Sequence, residues 1–92
     1  MKKGYVWLVI IEKTTNGERG EDILGVFDSL AEATKRVDEK FEEMEMWYAQ
    51  KYGDNYVSHN HGKGFAELYV QDAWDETKIF CLEYEVNRFY ND

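Results

Sequence analysis

Carboxylates crowd one short stretch of this sequence, and two histidines stand close together in another. Between residues 38 and 45 a single lysine, Lys40, accompanies five acidic residues: Asp38, Glu39, Glu42, Glu43 and Glu45. Paired carboxylates can carry out general acid and base catalysis, but only where burial raises the pKa of one of them. We expect these five to lie on a solvated helix face, so the pattern predicts a binding surface and not an active site.

The two histidines belong to the sequence His59-Asn60-His61. They could offer two imidazoles to a metal ion, with Asp54 or another carboxylate as a further ligand. An isolated His-x-His in a polar loop is a weak signal, and we expect solvated histidines and no metal. The sequence also contains no glycine-rich phosphate loop, no G-x-S-x-G elbow and no cysteine with an adjacent base. It therefore predicts a protein that is not an enzyme and that requires no cofactor.

The carboxylates belong to a segment with helical periodicity. Ser29 stands three residues before Glu32, which is the spacing of a capping box, and no glycine or proline follows before Gly53. The sequence thus predicts a helix from about Leu30 to Tyr52. At ~100° per residue, its apolar residues fall within a sector of about 80° and the five acids spread over the opposite half. The apolar residues are Leu30, Ala33, Val37, Phe41, Met44 and Tyr48.

Two large apolar residues of the predicted helix lie outside that sector. Met46 lies about 180° from its centre, and Trp47 about 80° from it. Exposed Met and Trp side chains are typical anchors of protein interfaces. We therefore predict a partner-binding surface that consists of the five carboxylates with Met46 and Trp47. The alternative for Trp47 is packing beneath the loop at 53–64.

Four strands are predicted around the helix, in runs rich in β-branched and aromatic residues. These runs are Tyr5 to Ile11, Ile23 to Phe27, Phe65 to Gln71 and Lys78 to Val86. The segment from Thr14 to Asp22 is predicted to be a long hairpin connection and not a tight two-residue turn. The order ββαββ predicts a single α+β domain over residues 1–92, with a four-stranded antiparallel sheet and one long helix packed on one face.

The first predicted strand is apolar on both of its sides, which a single helix cannot cover. One side carries Tyr5, Trp7, Val9 and Ile11, and the other carries Val6, Leu8 and Ile10. Three elements could shield the remaining surface: the tail from Asn87 to Asp92, the 53–64 loop with Tyr56, or a second copy of the chain. A homodimer therefore remains an open alternative, because large exposed apolar patches usually mark interfaces.

Composition limits the kinds of partner. The 92 residues include 19 acidic and 11 basic ones, which gives a net charge of −8. This charge disfavours direct binding to nucleic acid or to an anionic membrane and favours a basic protein surface. Cys81 is the only cysteine, so no intramolecular disulfide can form, and the apolar run from Tyr5 to Ile11 is too short to span a bilayer. We expect a cytoplasmic protein.

One segment resembles a known group of proteins. Residues Gly25-Val26-Phe27-Asp28-Ser29 lead into a helix that contains Ala31 and Ala33, and this step is similar to the strand-to-helix step of small domains encoded by phages and mobile elements. The resemblance covers residues 4 to 50. Acidic phage proteins of this size include inhibitors of bacterial defence nucleases, some of which imitate the charge of DNA. The resemblance implies such an origin and identifies no individual functional residue.

The leading hypothesis is a non-catalytic acidic binding protein that docks on a basic protein surface. Duplex DNA carries one charge per ~1.7 Å of its axis, and a helix edge lined with carboxylates could occupy a groove lined with Arg and Lys in a nucleic-acid-binding enzyme. One alternative is a small-ligand or metal-binding domain that uses the 53–64 loop. The other is a homodimer with a structural role.

Overall fold

A computed structural model describes residues 4–70 and 75–85 of the chain. These residues form an antiparallel sheet with one helix packed on one of its faces, so the predicted α+β class is confirmed. In chain order the elements are β1 (Tyr5–Thr15), β2 (Glu18–Phe27), α1 (Leu30–Tyr52), β3 (Val57–Asn60), β4 (Phe65–Tyr69) and β5 (Glu76–Glu85). The strand order across the sheet is β2-β1-β5-β4-β3.

The prediction of four strands in the order ββαββ is wrong in one detail. The described residues form five strands, because part of the predicted 53–64 loop pairs with β4 as an edge strand, β3. The loop's glycines lie on either side of this strand, at Gly53 and at Gly62 and Gly64, and all three have positive φ angles. Polar residues therefore continue the sheet here, in a stretch that its composition assigns to a loop.

A two-residue turn joins β1 to β2. Thr15 pairs with Glu18, and the two residues between them, Asn16 and Gly17, have φ angles of 53° and 84°. Two consecutive positive φ angles are what a type I′ hairpin turn requires, and Asn-Gly is its preferred sequence. The predicted long connection from Thr14 to Asp22 is therefore wrong, since these polar residues extend both strands as a ribbon.

The predicted helix from Leu30 to Tyr52 is confirmed at both ends. Ser29 has extended backbone angles, and its hydroxyl accepts a hydrogen bond of 3.2 Å from the backbone N–H of Glu32. At the other end Gly53 has a φ of 65°, and its N–H donates to the Ala49 carbonyl at 2.9 Å. These bonds satisfy backbone groups that a helix end leaves unpaired.

The helix packs its apolar stripe onto the sheet. Of the six predicted residues, all but Leu30, which is 46% exposed, belong to the core. The sheet contributes every second residue of its central strands, as the two-residue period of a strand requires. The core consists of Val9, Ile11, Ala33, Val37, Phe41, Met44, Tyr48, Ala66, Leu68, Val70 and Ile79.

A β-bulge in β2 keeps its side chains in phase with the sheet. Val9 pairs with Gly25 whereas the next residue, Ile10, pairs with Ile23, so Leu24 is an extra residue in the ladder. Leu24 packs against the core. Ile23 and Val26 remain on the opposite face, where each is 58% exposed.

The 53–64 segment covers the face of the sheet opposite the helix only at its far edge, where the rings of His59 and His61 lie beside those of Tyr69 and Phe65. Tyr56 turns to the helix side, where its ring lies 5.8 Å from that of Tyr48. The tail from Asn87 to Asp92, the second element proposed to shield this face, lies outside the described residues.

Candidate partner-binding surface

The five carboxylates of the predicted surface divide into two groups. Asp38 and Glu45 are half-buried and turn toward β3. Asn60 Nδ2 donates to Asp38 Oδ1 at 3.1 Å, and Ser58 Oγ donates to Glu45 Oε2 at 3.0 Å. These two acids hold the edge strand against the helix. The expectation that the five acids face away from the sheet is therefore wrong for Asp38 and Glu45.

The other three acids, Glu39, Glu42 and Glu43, point away from the sheet. Two of them pair with cations one turn earlier: Glu39 with Arg36 at 3.9 Å and Glu43 with Lys40 at 2.7 Å. The hydrogen bond from Lys40, and then its charge, lower the pKa of Glu43. Glu39 and Glu43 nevertheless keep side-chain exposures of 56% and 65%. The three carboxylates therefore remain accessible to a partner, although same-helix cations partly neutralise two of them.

Met46 lies at the centre of this outer helix face. It follows Glu42 by four residues and Glu43 by three, which are the spacings of neighbours on a helix surface. Its side chain is 66% exposed, the largest exposure among the large apolar residues that the structure describes. We call Glu39, Glu42, Glu43 and Met46 the outer face of α1.

Trp47 lies at the border of the outer face. Its ring meets the Tyr48 ring edge-on at 5.3 Å, with Lys51 Nζ 4.9 Å and Lys13 Nζ 6.0 Å from its centroid. These are cation–π distances. All of these ring contacts of Trp47 are to residues of α1 and β1 and none is to the 53–64 loop, so they do not support the alternative that Trp47 packs beneath that loop. Trp47 remains 41% exposed.

Charge is distributed unevenly around the helix. Arg36, Lys40 and Lys51 lie on the flank that carries Trp47, whereas Asp38 and Glu45 occupy the flank next to β3. An acidic outer face thus meets a basic edge at Trp47. A partner that docks here would need cations opposite the glutamates and a neutral or acidic group opposite the lysines.

His59 and His61 do not form a chelating pair. Their rings are stacked at 6.1 Å with an angle of 18° between the planes, and a metal ion must lie in the plane of each imidazole that binds it. Among residues 4–70 and 75–85, no three His, Cys, Asp or Glu side chains come together in a metal-holding group. The two rings instead continue an aromatic row with Tyr69 and Phe65.

One buried charge was not found by sequence reasoning. Asp75 is only 4% exposed and accepts hydrogen bonds from the Asn16 backbone N–H at 3.2 Å, from Lys51 Nζ at 3.3 Å and from the Tyr52 hydroxyl. The bond from Tyr52 does most to lower the pKa of the Asp75 carboxyl. This network ties the β1–β2 turn and the end of α1 to the start of β5. Its members are so far apart in the sequence that no local spacing signals it.

Comparisons with protein-family models, with curated proteins and with solved structures find no match. Across residues 4–70 and 75–85, no helix combines the length and hydrophobicity that crossing a membrane requires.

Proposed function

We propose that this chain is a non-catalytic acidic binding protein that docks on a basic protein surface through the outer face of α1. The observation that carries the proposal is Met46, an apolar side chain 66% exposed beside Glu42 and Glu43. An exposed apolar anchor with charged groups around it has the arrangement of an interface centre and rim. Trp47 extends this surface at its basic edge.

The charge of the chain favours a basic partner. A net charge of −8 speeds association with a cationic surface and disfavours binding to an anionic one. Along the helix axis Glu39 and Glu43 are separated by about 6 Å, at 1.5 Å per residue. Each DNA strand carries one phosphate per ~3.4 Å of helix axis, so the axial spacing of these two carboxylates is close to that of every second phosphate. The partner class that we propose is therefore a nucleic-acid-binding enzyme whose cationic groove the outer face blocks.

The finer proposal is that the chain inhibits a bacterial defence nuclease, as the resemblance of residues 4 to 50 to small phage domains implies. The carboxyl groups of Glu43 and Asp75 are themselves poor candidates for a general acid, because their pKa values are both lowered. A general acid at neutral pH needs the opposite shift. We also propose a cytoplasmic location, which is supported by Cys81 being the only cysteine, so that no intramolecular disulfide can form.

Charge reversal on the outer face tests the proposal. The variant Glu39→Lys/Glu42→Lys/Glu43→Lys changes the net charge from −8 to −2, since each reversal adds two positive charges. The matched control Glu18→Lys/Glu21→Lys/Asp22→Lys makes the same change at exposed positions of β2, away from the helix. Each protein is immobilised and exposed to a bacterial lysate, and the retained species are identified by mass.

We expect a basic protein that the wild-type chain and the β2 control retain and that the helix variant loses. Retention by the helix variant as well would contradict the proposal, provided that circular dichroism shows the helix intact. Because three lysines beside Arg36 and Lys40 repel one another, the variant with glutamine at the same three positions repeats the test without that repulsion.

The apolar anchor is tested separately. Met46→Ala should weaken binding of the retained protein by roughly tenfold, since truncation of a central anchor typically costs more than about 1 kcal/mol of binding free energy. Leu30→Ala, which removes an exposed apolar side chain from the first turn of the same helix, is the control and should leave the affinity unchanged.

A further inference from the structure

Apolar side chains gather on one half of the sheet face opposite the helix. They form two rows across neighbouring strands, with Val26, Leu8 and Leu82 in one row and Ile23, Ile10, Phe80 and Phe65 in the other. Val6 and Tyr84 extend the first row toward the start of β1. We call these nine residues the open patch.

The open patch ends at a row of charges. On the same face, the next residue of β5 is Lys78, which pairs with Glu12 of β1 on one side and with Glu67 of β4 on the other. Glu76 is the following residue of β5 on this face. Here opposite charges pair within the chain, as in the ion pairs Arg19–Glu12 and Lys78–Glu76. The face is thus divided into an apolar half and a half in which acids and bases alternate.

The patch is large for the surface of a small domain. Ile23 and Val26 are each 58% exposed, Leu82 is 47% exposed and Tyr84 is 45% exposed. Taking ~200 Å² as the full surface of a large side chain, these four residues present roughly 400 Å², to which the five partly exposed residues of the patch add. The four alone fall within the range of about 300–600 Å² for the largest patch of an ordinary monomer and supply about half of the ~800 Å² that each partner contributes to a stable interface.

We propose that the occupant of the open patch is a second copy of this chain, packed sheet against sheet. Two identical patches can each bury the other around a two-fold axis, and the alternating charges beside them complement a copy of themselves. Through any surface other than this face, the net charge of −8 on each copy opposes self-association. The outer edge strand β2 is also protected from pairing by the charged residues Glu18, Arg19, Glu21 and Asp22.

This dimer does not depend on the function proposed for the helix. The outer face of α1 lies on the opposite side of the sheet, so both copies would present it to solvent and the dimer would be bivalent. Salt separates the two interactions. Binding of a basic partner weakens as ionic strength rises, whereas apolar association between two anionic copies is unchanged or strengthened.

Sedimentation equilibrium of the full chain between about 1 μM and about 200 μM tests the proposal. The wild-type protein should reach twice the 10.9 kDa mass of one chain. Val26→Glu and Leu82→Glu should each raise the dimer dissociation constant by at least about tenfold, because each buries a charge within the interface. Met46→Glu makes a similar change at an exposed apolar position on the helix and should leave the dimer unaffected.

Two results would overturn the proposal. One is a monomer at every concentration. If Leu82→Glu also lowers the urea midpoint of unfolding of that monomer, the open patch is occupied by the chain's own segment at 86–92. The other is a dimer that Val26→Glu and Leu82→Glu leave unchanged, which would place the contact between copies on another surface. Neither result bears on the lysate experiment with the helix variants.

Discussion

Removal of the Asp75 carboxylate should destabilise the fold more than removal of any exposed acid. Asp75→Ala deletes the acceptor for the Asn16 N–H, the Lys51 ammonium and the Tyr52 hydroxyl. The Lys51 side chain is 47% exposed and can be rehydrated, and so can Asn16, whereas Tyr52 is half-buried. Since a hydrogen bond to a charged group contributes about 1.5–3 kcal/mol, we expect the free energy of unfolding to fall by about 2–3 kcal/mol.

The same carboxylate predicts a dependence of stability on pH. The native pKa of Asp75 is lowered from its ordinary value of 3.8, chiefly by the Tyr52 hydroxyl. The unfolded chain therefore binds this proton more tightly than the native chain does. The stabilisation is fully present above pH 3.8 and is lost as the pH falls below that value through the native pKa.

Urea titrations followed by circular dichroism measure both effects. Wild type and Asp75→Asn should differ in midpoint at neutral pH and converge as the pH falls below about 4. Asp54→Ala removes an exposed carboxylate just after the helix and should change the free energy of unfolding by less than about 0.5 kcal/mol. An Asp75→Ala loss no larger than that of the control, or a difference that grows at low pH, would refute the reasoning.

Three further substitutions test the cap, a close approach and the buried hydroxyl pair, each by urea unfolding. Ser29→Ala removes the hydroxyl that accepts from the Glu32 N–H and should cost about 1 kcal/mol; Ser29→Asp, which also caps, should retain the stability. Gly64→Ala should lower the free energy of unfolding by about 1–3 kcal/mol, because φ is +78° and the new Cβ would lie 2.5 Å from Cys81 Sγ. Gly62 also has a positive φ, but a Cβ there would meet open space. A loss of stability in Gly64→Ala no greater than that in Gly62→Ala would contradict the clash. Tyr48→Phe should cost about 1–2 kcal/mol by leaving the buried Thr77 hydroxyl unpaired, and Thr77→Val should remove most of that penalty in the double variant.

The helix was predictable to the residue because its signals are local. A cap at Ser29, uninterrupted helix formers and a glycine at 53 with positive φ all act within one or two turns. The Asn16-Gly17 turn is equally local, and its preference for a tight hairpin outweighed the polar flanks that led us to expect a long connection. β3 was not predictable in the same way, since its residues Val57–Asn60 are held by pairing with β4 and by side-chain bonds to the helix.

The candidate surface was predictable in part. The helical period separates the buried stripe from Met46 correctly, but it treats every residue outside that stripe as solvated. Asp38 and Glu45 lie about 80–100° from the centre of the stripe, at the angle where a side chain can still reach a neighbouring strand. Their bonds to Asn60 and Ser58 form only because those residues belong to β3. Since we predicted a loop there, the bonds could not be predicted either.

We propose that the glutamates on the outer face of α1 add a salt-dependent contribution to the binding of a cationic partner around the apolar anchor Met46. The most direct measurement of this contribution is the affinity of the protein retained from lysate, determined across a series of salt concentrations for the wild-type chain and for Glu39→Gln/Glu42→Gln/Glu43→Gln. We expect the wild-type affinity to fall steeply as salt rises, and the variant to bind weakly with a shallower slope. Equal affinities and equal slopes for the two chains would contradict the proposal.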